Sequence, residues 1–477
     1  MKTSFFTTCI LHPYLLITFF VLFCWKQTSY FFDIKKGIVA WLVGMAITSL
    51  GWFVYHQIIK NNMRSGAAWT LTLLPILYYS PIFNALQNTF IGKHQILIPI
   101  IFLATMWIFF YFYKQKKTFA TLNTYLNTLF LLLCFFEIFN LVQRLNHDKI
   151  WWEKVQTKFE QTAPPSIQTT ESLPDVYYIL MDAYVGMAGL ETYFDYDNSE
   201  LSDFLEEKNF FIAQNAHSNY DFTARCMFST FNMEYSPRYI DVTKDKLITG
   251  NIHRLGIQKS KTAQHFKAAG YEWVNRSFFE ILDTPRYYQI ARLPDAAMTW
   301  DYMADMTLPG RLRKAFPLRP IYEANLQIFD ELKTLSKERT AQPRFVYAHL
   351  MMPHKPYHFD RKGNLYPSGN QGKSQKKAYL EQLQYANQLL KESITEILKN
   401  SAIPPVIILQ GDHGSRIDVA EKDERFSILY AIHFPDKKYE YFHDTISPVN
   451  TFRILSNRYL NTSFELLENK KNHFVEF

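Results

Sequence analysis

PVIILQGDHGSR (405–416) joins a strand-like apolar run to an Asp–His pair set between two glycines. Val406, Ile407, Ile408 and Leu409 form a short continuous apolar stretch, the pattern of a strand buried on both faces, as in parallel sheets. In open α/β sheets ligands bind just beyond the carboxyl ends of the strands. Asp412 and His413 stand at that place, and Gly411 and Gly414 permit the tight backbone that lets adjacent side chains face one site.

The rest of the second half has the same grammar. VYYIL (176–180), RFVYAHL (344–350) and FSILYAIHF (426–434) read as further buried strands. Between them Leu380, Leu383, Leu390, Ile394 and Ile397 mark an amphipathic helix over 376–399. Strands alternating with helices predict an α/β domain with a mostly parallel central sheet. VYYIL runs into Asp182, so carboxylates and a histidine arrive from separate strand ends. Mixed oxygen and nitrogen ligands of this kind suit a divalent metal, Zn or Mn. Alone, each Asp also reads as a turn residue or helix N-cap.

Two further segments carry candidate chemistry. In SNYDFTARCMFS (218–229) polar residues give way to an apolar helical pattern, which puts Thr223 near a helix N-terminus. A hydroxyl there can act as a nucleophile and hold a phosphoryl group against free N–H groups. Spacing alone favours a plain N-cap. In HLMMPHKPY (349–357) His354 sits between prolines at a strand end, where it can contact a phosphate oxygen or protonate a leaving group. His349, inside the strand, reads as a core histidine.

The first half is of another kind. Mean hydropathy over the chain is near neutral at −0.16, yet apolar, aromatic-rich runs dominate before about residue 150. A helix needs roughly 20 apolar residues to cross a bilayer, and runs over 5–25, 37–55, 68–87, 95–113 and 119–142 meet that length. Pro75, Pro81 and Asn84 interrupt the third. With the N-terminus inside, the inner loops hold Lys2, Lys60, Arg64, Lys114, Lys116 and Lys117, and the outer ones Lys26, Lys35, Lys36 and Lys93. That bias has the sign of the positive-inside rule and puts residues after 142 outside. Glu137 and Asn140 are expected at the interface.

The net charge of +7 is modest, and no basic block interleaves with aromatics, so no nucleic-acid partner is expected. Cys9, Cys24 and Cys134 fall in apolar runs, which leaves Cys226 alone in the second half with no disulfide partner. The stretch 144–173, with Trp151 and Trp152 and then QTAPPSIQTTES, reads as a juxtamembrane helix and linker.

Strand-Asp182, then the Thr223 segment, then Pro-His354-x-Pro-Tyr, then Gly-Asp412-His413-Gly occur in one order. That order resembles the alkaline phosphatase superfamily in its membrane-anchored, sulfatase-like branch, which holds phosphoethanolamine transferases and lipoteichoic acid synthases. The resemblance implies Asp182, Thr223, Asp412 and His413 around the metal, Thr223 as nucleophile, and His354 as a catalytic and phosphate-binding group. Its five-helix membrane domain also matches the span count. Three departures stand out. Arg416, Lys422 and Arg425 occupy the stretch where those transferases carry a further substrate histidine, so Arg416 takes the substrate-binding place and the donor headgroup stays open. Their periplasmic disulfides are impossible here, and Asp182 replaces their usual Glu. Cys226-Met-Phe-Ser lacks the x-Pro-x-Arg of formylglycine sulfatases.

The expectation is therefore an N-terminal multi-span α-helical membrane domain (1–143), a juxtamembrane linker (144–173), and an α/β sulfatase-like catalytic domain (174–477). It implies a bacterial inner-membrane protein, with the catalytic domain outside the cytoplasm, that transfers or hydrolyses phosphodiesters. The donor would be a phospholipid or lipid-linked molecule, and the acceptor an envelope glycan or lipid. A sulfatase-like or phosphonate ester hydrolase and a non-catalytic envelope-binding protein on the same fold are the alternatives.

Overall fold

The computed structural model describes residues 8–160, 173–236, 246–288, 299–315, 320–366, 374–417 and 423–472. The expected linker tract (161–172) and Lys422 lie outside the described residues. The chain forms two compact units, Met1–Gln156 with Ala291–Leu318, and Thr157–Ile290 with Arg319–Phe477. A stretch from the middle of the expected catalytic segment thus belongs to the first unit.

The first unit contains helices at His12–Thr28, Ile34–Ile59, Asn62–Leu77, Tyr79–Leu86, His94–Lys114 and Ala120–Glu160. Three stretches, Ile34–Ile59, His94–Lys114 and Ala120–Thr157, are long and apolar enough to cross a membrane. Their large apolar side chains point outward, Leu50 at 66 % and Phe102 at 61 % exposure. In water such a surface would be an aggregation site, and in lipid it is the solvent-matched one.

The first and third expected spans differ from the sequence reading. The helix of the first expected span starts at His12, after a non-helical turn at residues 9–11. Side chains of the long last helix satisfy that turn: Asn123 and Asn127 Nδ2 donate to the Cys9 carbonyl at 3.1 and 2.8 Å. Asn127 Oδ1 accepts from the Leu11 and His12 N–H groups at 3.0 and 2.8 Å. Backbone groups in an apolar medium need such partners. The third span is two shorter helices that meet at Tyr78, just after Pro75 removes a helical donor. The last span continues past residue 142 without a break, and Trp152 stacks on Tyr30 with ring centroids 5.5 Å apart. Glu137 is buried and paired with Lys26 at 2.5 Å, whereas Asn140 is exposed.

The second unit is built on a six-stranded sheet of order β2-β6-β5-β1-β4-β3. The strands are β1 Val176–Met181, β2 Phe211–Ile212, β3 Glu272–Arg276, β4 Arg344–Leu350, β5 Val406–Gly411 and β6 Tyr430–His433. β1 lies parallel between β4 and β5, β3 adds parallel to β4, and β6 and β2 are antiparallel at the other edge. Every residue of β1, β4 and β5 is buried, as the continuous apolar runs require. On one face the helix Thr223–Asn232 sets Phe231 against Tyr178 and Tyr347, with Phe452 stacked on it. The amphipathic helix is Gln375–Asn400 and buries Leu383, Leu390, Ile394 and Ile397. β2 is only two residues long and β3 is the mixed-polarity EWVNR, so neither stands out as a strand in the sequence.

Register places the site. Met181 pairs with both Leu350 and Gly411, so the three central strands end level. Asp182 and Asp412 leave adjacent strands side by side.

Candidate active site

Asp412 is held by the backbone. Its Oδ1 accepts from the Ala183 N–H at 3.0 Å and from the His413 N–H at 2.9 Å. Ala183 makes its contact from a left-handed conformation with φ 61°, a strained position that L residues rarely take. The glycines are needed here for space. A Cβ on Gly411 would lie 2.5 Å from the Tyr184 carbonyl oxygen, and one on Gly414 1.8 Å from that of Glu424. Asp412 Oδ2 and Asp182 Oδ1 are left buried without hydrogen-bond partners.

His413 completes the group. Its Nδ1 lies 2.7 Å from the Gly414 carbonyl, so Nδ1 carries the proton and Nε2 presents its lone pair. Nε2 is 3.4 Å from Asp412 Oδ2 and 3.8 Å from Asp182 Oδ1. One ligand atom from each of Asp182, Asp412 and His413 lies within 4.8 Å of the others, all three residues buried. Two unpartnered carboxylate oxygens beside a neutral imidazole nitrogen would be costly to bury with no cation between them. The donor set therefore fits a divalent metal, which Asp182, Asp412 and His413 would hold.

Thr223 reaches the same point from the other face. It is the first residue of the helix Thr223–Asn232, and no side chain caps that helix. Its Oγ1 lies instead 3.1 Å from His413 Nε2. The simple N-cap reading is thus not what the hydroxyl does. Arg416, at φ 57°, brings Nη2 to 3.2 Å from the same nitrogen, and its guanidinium lies over the Phe222 ring. His354 is half-buried, its ring centroid 6.4 Å from that of His413, and its N–H donates to the Asp182 carbonyl at 3.1 Å. All six expected site residues meet at one end of the sheet.

One residue has a larger part than its sequence position suggested. His349 is fully buried in β4, as a core histidine should be, but its Nε2 faces Asp182 Oδ2 at 3.4 Å. Its Nδ1 is held by the Tyr347 hydroxyl at 2.8 Å. The available signal was a single titratable residue in the otherwise apolar end of RFVYAHL. Cys226 is turned away, its thiol donating to the Tyr220 carbonyl at 2.9 Å, and burial pushes that thiol far up.

Electrostatics agree with the geometry. Burial alone would raise the Asp182 carboxyl, but the His354 charge and the His349 contact lead the effects that outweigh it and hold the group well below the usual carboxylate range. Burial lowers His413, with Arg416 adding to the effect against the raising charges of Asp412 and Asp182. The imidazole stays neutral, the form that can ligate.

A carboxylate–imidazole cluster beside a helix-terminal hydroxyl, at the carboxyl edge of a mostly parallel sheet, defines a hydrolase or transferase of the alkaline phosphatase type. The sulfatase family model matches residues 174–452, more than half of the chain. The chain belongs to the sulfatase family and is an enzyme of that family, with helices long and apolar enough to cross a membrane. No curated protein sequence matches it. Among solved structures it is similar to the integral membrane lipooligosaccharide phosphoethanolamine transferase A from Neisseria meningitidis, at 13 % identity and a TM-score of 0.41, covering 95 % of each chain. It is also similar to the C-terminal periplasmic domain of EcEptC from Escherichia coli in complex with Zn, at 14 % identity and a TM-score of 0.41, covering 62 % of this chain and 87 % of that one. A third is the periplasmic domain of phosphoethanolamine transferase EptC from Campylobacter jejuni, at 14 % identity and a TM-score of 0.39, covering 62 % and 92 %.

Proposed function

We propose that this protein is a metal-dependent phosphotransferase that moves a phosphodiester headgroup from a membrane lipid to a cell-envelope acceptor through Thr223. The observation that carries this reading is the Thr223 hydroxyl, free of any capping duty and 3.1 Å from His413 Nε2 beside the metal-ready cluster. A divalent ion there, Zn or Mn, would supply Lewis acidity, lowering the hydroxyl pKa and neutralising charge on the phosphoryl oxygens.

The chain's own groups divide the remaining work. Thr223 Oγ1 gives up its proton to solvent and attacks phosphorus, the P–Oγ bond forms, and the bond to the lipid oxygen breaks. Free N–H groups in the first turn of the helix Thr223–Asn232 face the phosphoryl oxygens, where the helix dipole favours negative charge. Arg416 turns from His413 to a phosphoryl oxygen, for which its planar fork is suited. His354, at the half-buried rim, protonates the departing lipid alkoxide. An acceptor hydroxyl or water then gives its proton to His354 and displaces Thr223 from phosphorus, and the released Thr223 oxygen takes a proton from solvent.

The placement outside the cytoplasm follows from the loop charges and an odd number of crossings. A reporter active only outside the cytoplasm is expected to work when fused after residue 160 and to fail at 118; the reverse pattern overturns the orientation. For the chemistry, the purified full chain is offered labelled phosphatidylethanolamine, phosphatidylglycerol and an aryl sulfate ester. Headgroup release from a phospholipid, with the aryl sulfate untouched, is expected. Cleavage of the sulfate ester alone would refute the proposal.

A further inference from the structure

The excursion that joins the membrane unit has its own chemistry. Helices Thr299–Met306 and Leu308–Ala315 pack at one end of the bundle. Met303 and Met306 are buried with Phe20, Cys24 and Phe32, and Leu308 packs on Tyr79, Leu97 and Ile101. Thr299 Oγ1 accepts from the Asp33 N–H at 2.7 Å, and the Ser80 hydroxyl donates to the Asp305 carbonyl. These partners flank the connectors 29–33 and 78–93, so the segment sits where those connectors turn. The last helix passes the same end, where the Tyr30 hydroxyl donates to the Leu145 carbonyl at 3.1 Å.

The turn between the two helices aims one cation. A Cβ on Gly310 would lie 1.9 Å from the Ala304 carbonyl oxygen, so only glycine lets them close this tightly. The Arg311 N–H then bonds the Thr307 carbonyl at 3.1 Å. Its guanidinium lies 5.1 Å from the Phe83 ring centroid. The His94 ring stacks on the same Phe83, centroids 4.0 Å apart, with Nδ1 held by the Tyr79 hydroxyl at 2.7 Å. Lys93 is the next residue and is exposed. Among the described residues none of Arg311, His94 and Lys93 has a carboxylate partner. Just before Lys93 the chain is apolar and exposed, with Phe90 at 76 % and Ile91 at 42 % exposure.

We propose that Arg311, with Lys93 and His94, binds the phosphate of a membrane phospholipid at this end of the bundle. Two cations, Arg311 and Lys93, with no carboxylate partner among the described residues, call for an anion at this end of the bundle, to which the His94 ring can donate as well, and the exposed aromatic and aliphatic side chains fit the acyl chains beside it. Arg311 matches a phosphodiester in shape as well as charge. The site deepens the lipid-donor reading above, and rests on it only for the use made of the bound lipid.

The test measures binding rather than turnover. The full chain, purified in detergent, is titrated with mixed micelles of phosphatidylethanolamine or phosphatidylglycerol, of diacylglycerol, and with inorganic phosphate. Arg311→Gln is expected to weaken phospholipid binding about tenfold, the loss of one charge-assisted contact, and Arg311→Lys to keep part of it. Unaltered metal content shows that the catalytic unit of each variant is folded. Lys93→Gln, at an exposed position, provides a second variant with a smaller loss of the same sign. Phospholipid binding unchanged in both glutamine variants overturns the site. So does diacylglycerol binding as tight as that of phospholipid, or inorganic phosphate competing on equal terms. A chain that binds phospholipid through Arg311 yet transfers no headgroup would sink the transferase reading and leave this one standing.

Discussion

Replacing Thr223 by alanine separates a nucleophile from a structural threonine. The hydroxyl caps no helix and approaches His413 Nε2 at 3.1 Å, so its removal deletes one half-buried hydrogen bond. The stability cost should be about 0.5–1.5 kcal/mol. The catalytic cost is far larger, because nothing nearby can replace the group. Ser218 Oγ donates to the Tyr220 carbonyl at 2.7 Å and Ser229 Oγ to the Cys226 carbonyl at 2.9 Å, both fully buried. A loss of about 10³-fold or more in turnover, ~4 kcal/mol of barrier, is expected. Thr223→Ser should retain part of the rate, since it keeps a hydroxyl on the same first turn. The assay pairs denaturant unfolding of the purified chain with headgroup release, and with mass spectrometry of the peptide that holds residue 223 after exposure to a phosphodiester donor. A phosphoryl adduct on Thr223 is expected. Turnover of Thr223→Ala at the native rate would refute the reasoning, and an adduct on Ser218 or Ser229 would move the nucleophile along the segment.

Three other outcomes follow from the same geometry. Asp412→Asn keeps an oxygen for the Ala183 and His413 N–H groups but replaces the unpartnered Oδ2 with a donor; elemental analysis should show metal lost from a folded protein, and full retention would place the ligands elsewhere. His349→Gln removes the imidazole facing Asp182 Oδ2, so metal affinity measured by chelator competition should fall roughly 10–100-fold, the usual effect of losing a ligand's supporting partner. His253 is buried between the Ser236 hydroxyl and the Thr249 carbonyl, and burial, with the Arg225 charge adding, lowers it to about 3. Because the folded state resists protonation, its contribution is intact above the unfolded value of about 6.5 and is lost as pH falls toward 3, by at most ~1.4 kcal/mol per pH unit. His253→Gln should flatten the acid limb of stability against pH, and an unchanged slope would show that other groups set it.

Periodicity made much of this protein legible without coordinates. Apolar runs of bilayer length, and short runs closing on Asp or Gly-Asp-His-Gly, report local physics: a lipid-facing helix and a doubly buried strand each impose a composition on consecutive residues. The ligand candidates were readable for the same reason, since strand ends in such sheets are where side chains converge. Tertiary structure decided what depends on residues far apart in the chain. The level ending of β1, β4 and β5 set Asp182 beside Asp412, and the approach of His413 took the Thr223 hydroxyl from a cap to the site. His349 looked like any core histidine until strand pairing set it across from Leu180, next to Asp182. The burial of Glu137 required Lys26 from a helix more than a hundred residues earlier, and the return of 299–315 to the membrane unit is likewise a matter of distant contacts. Local patterns record which medium a segment faces; which partner meets it there is a property of the closed chain, because pairing energies arise between residues that composition and spacing never bring together.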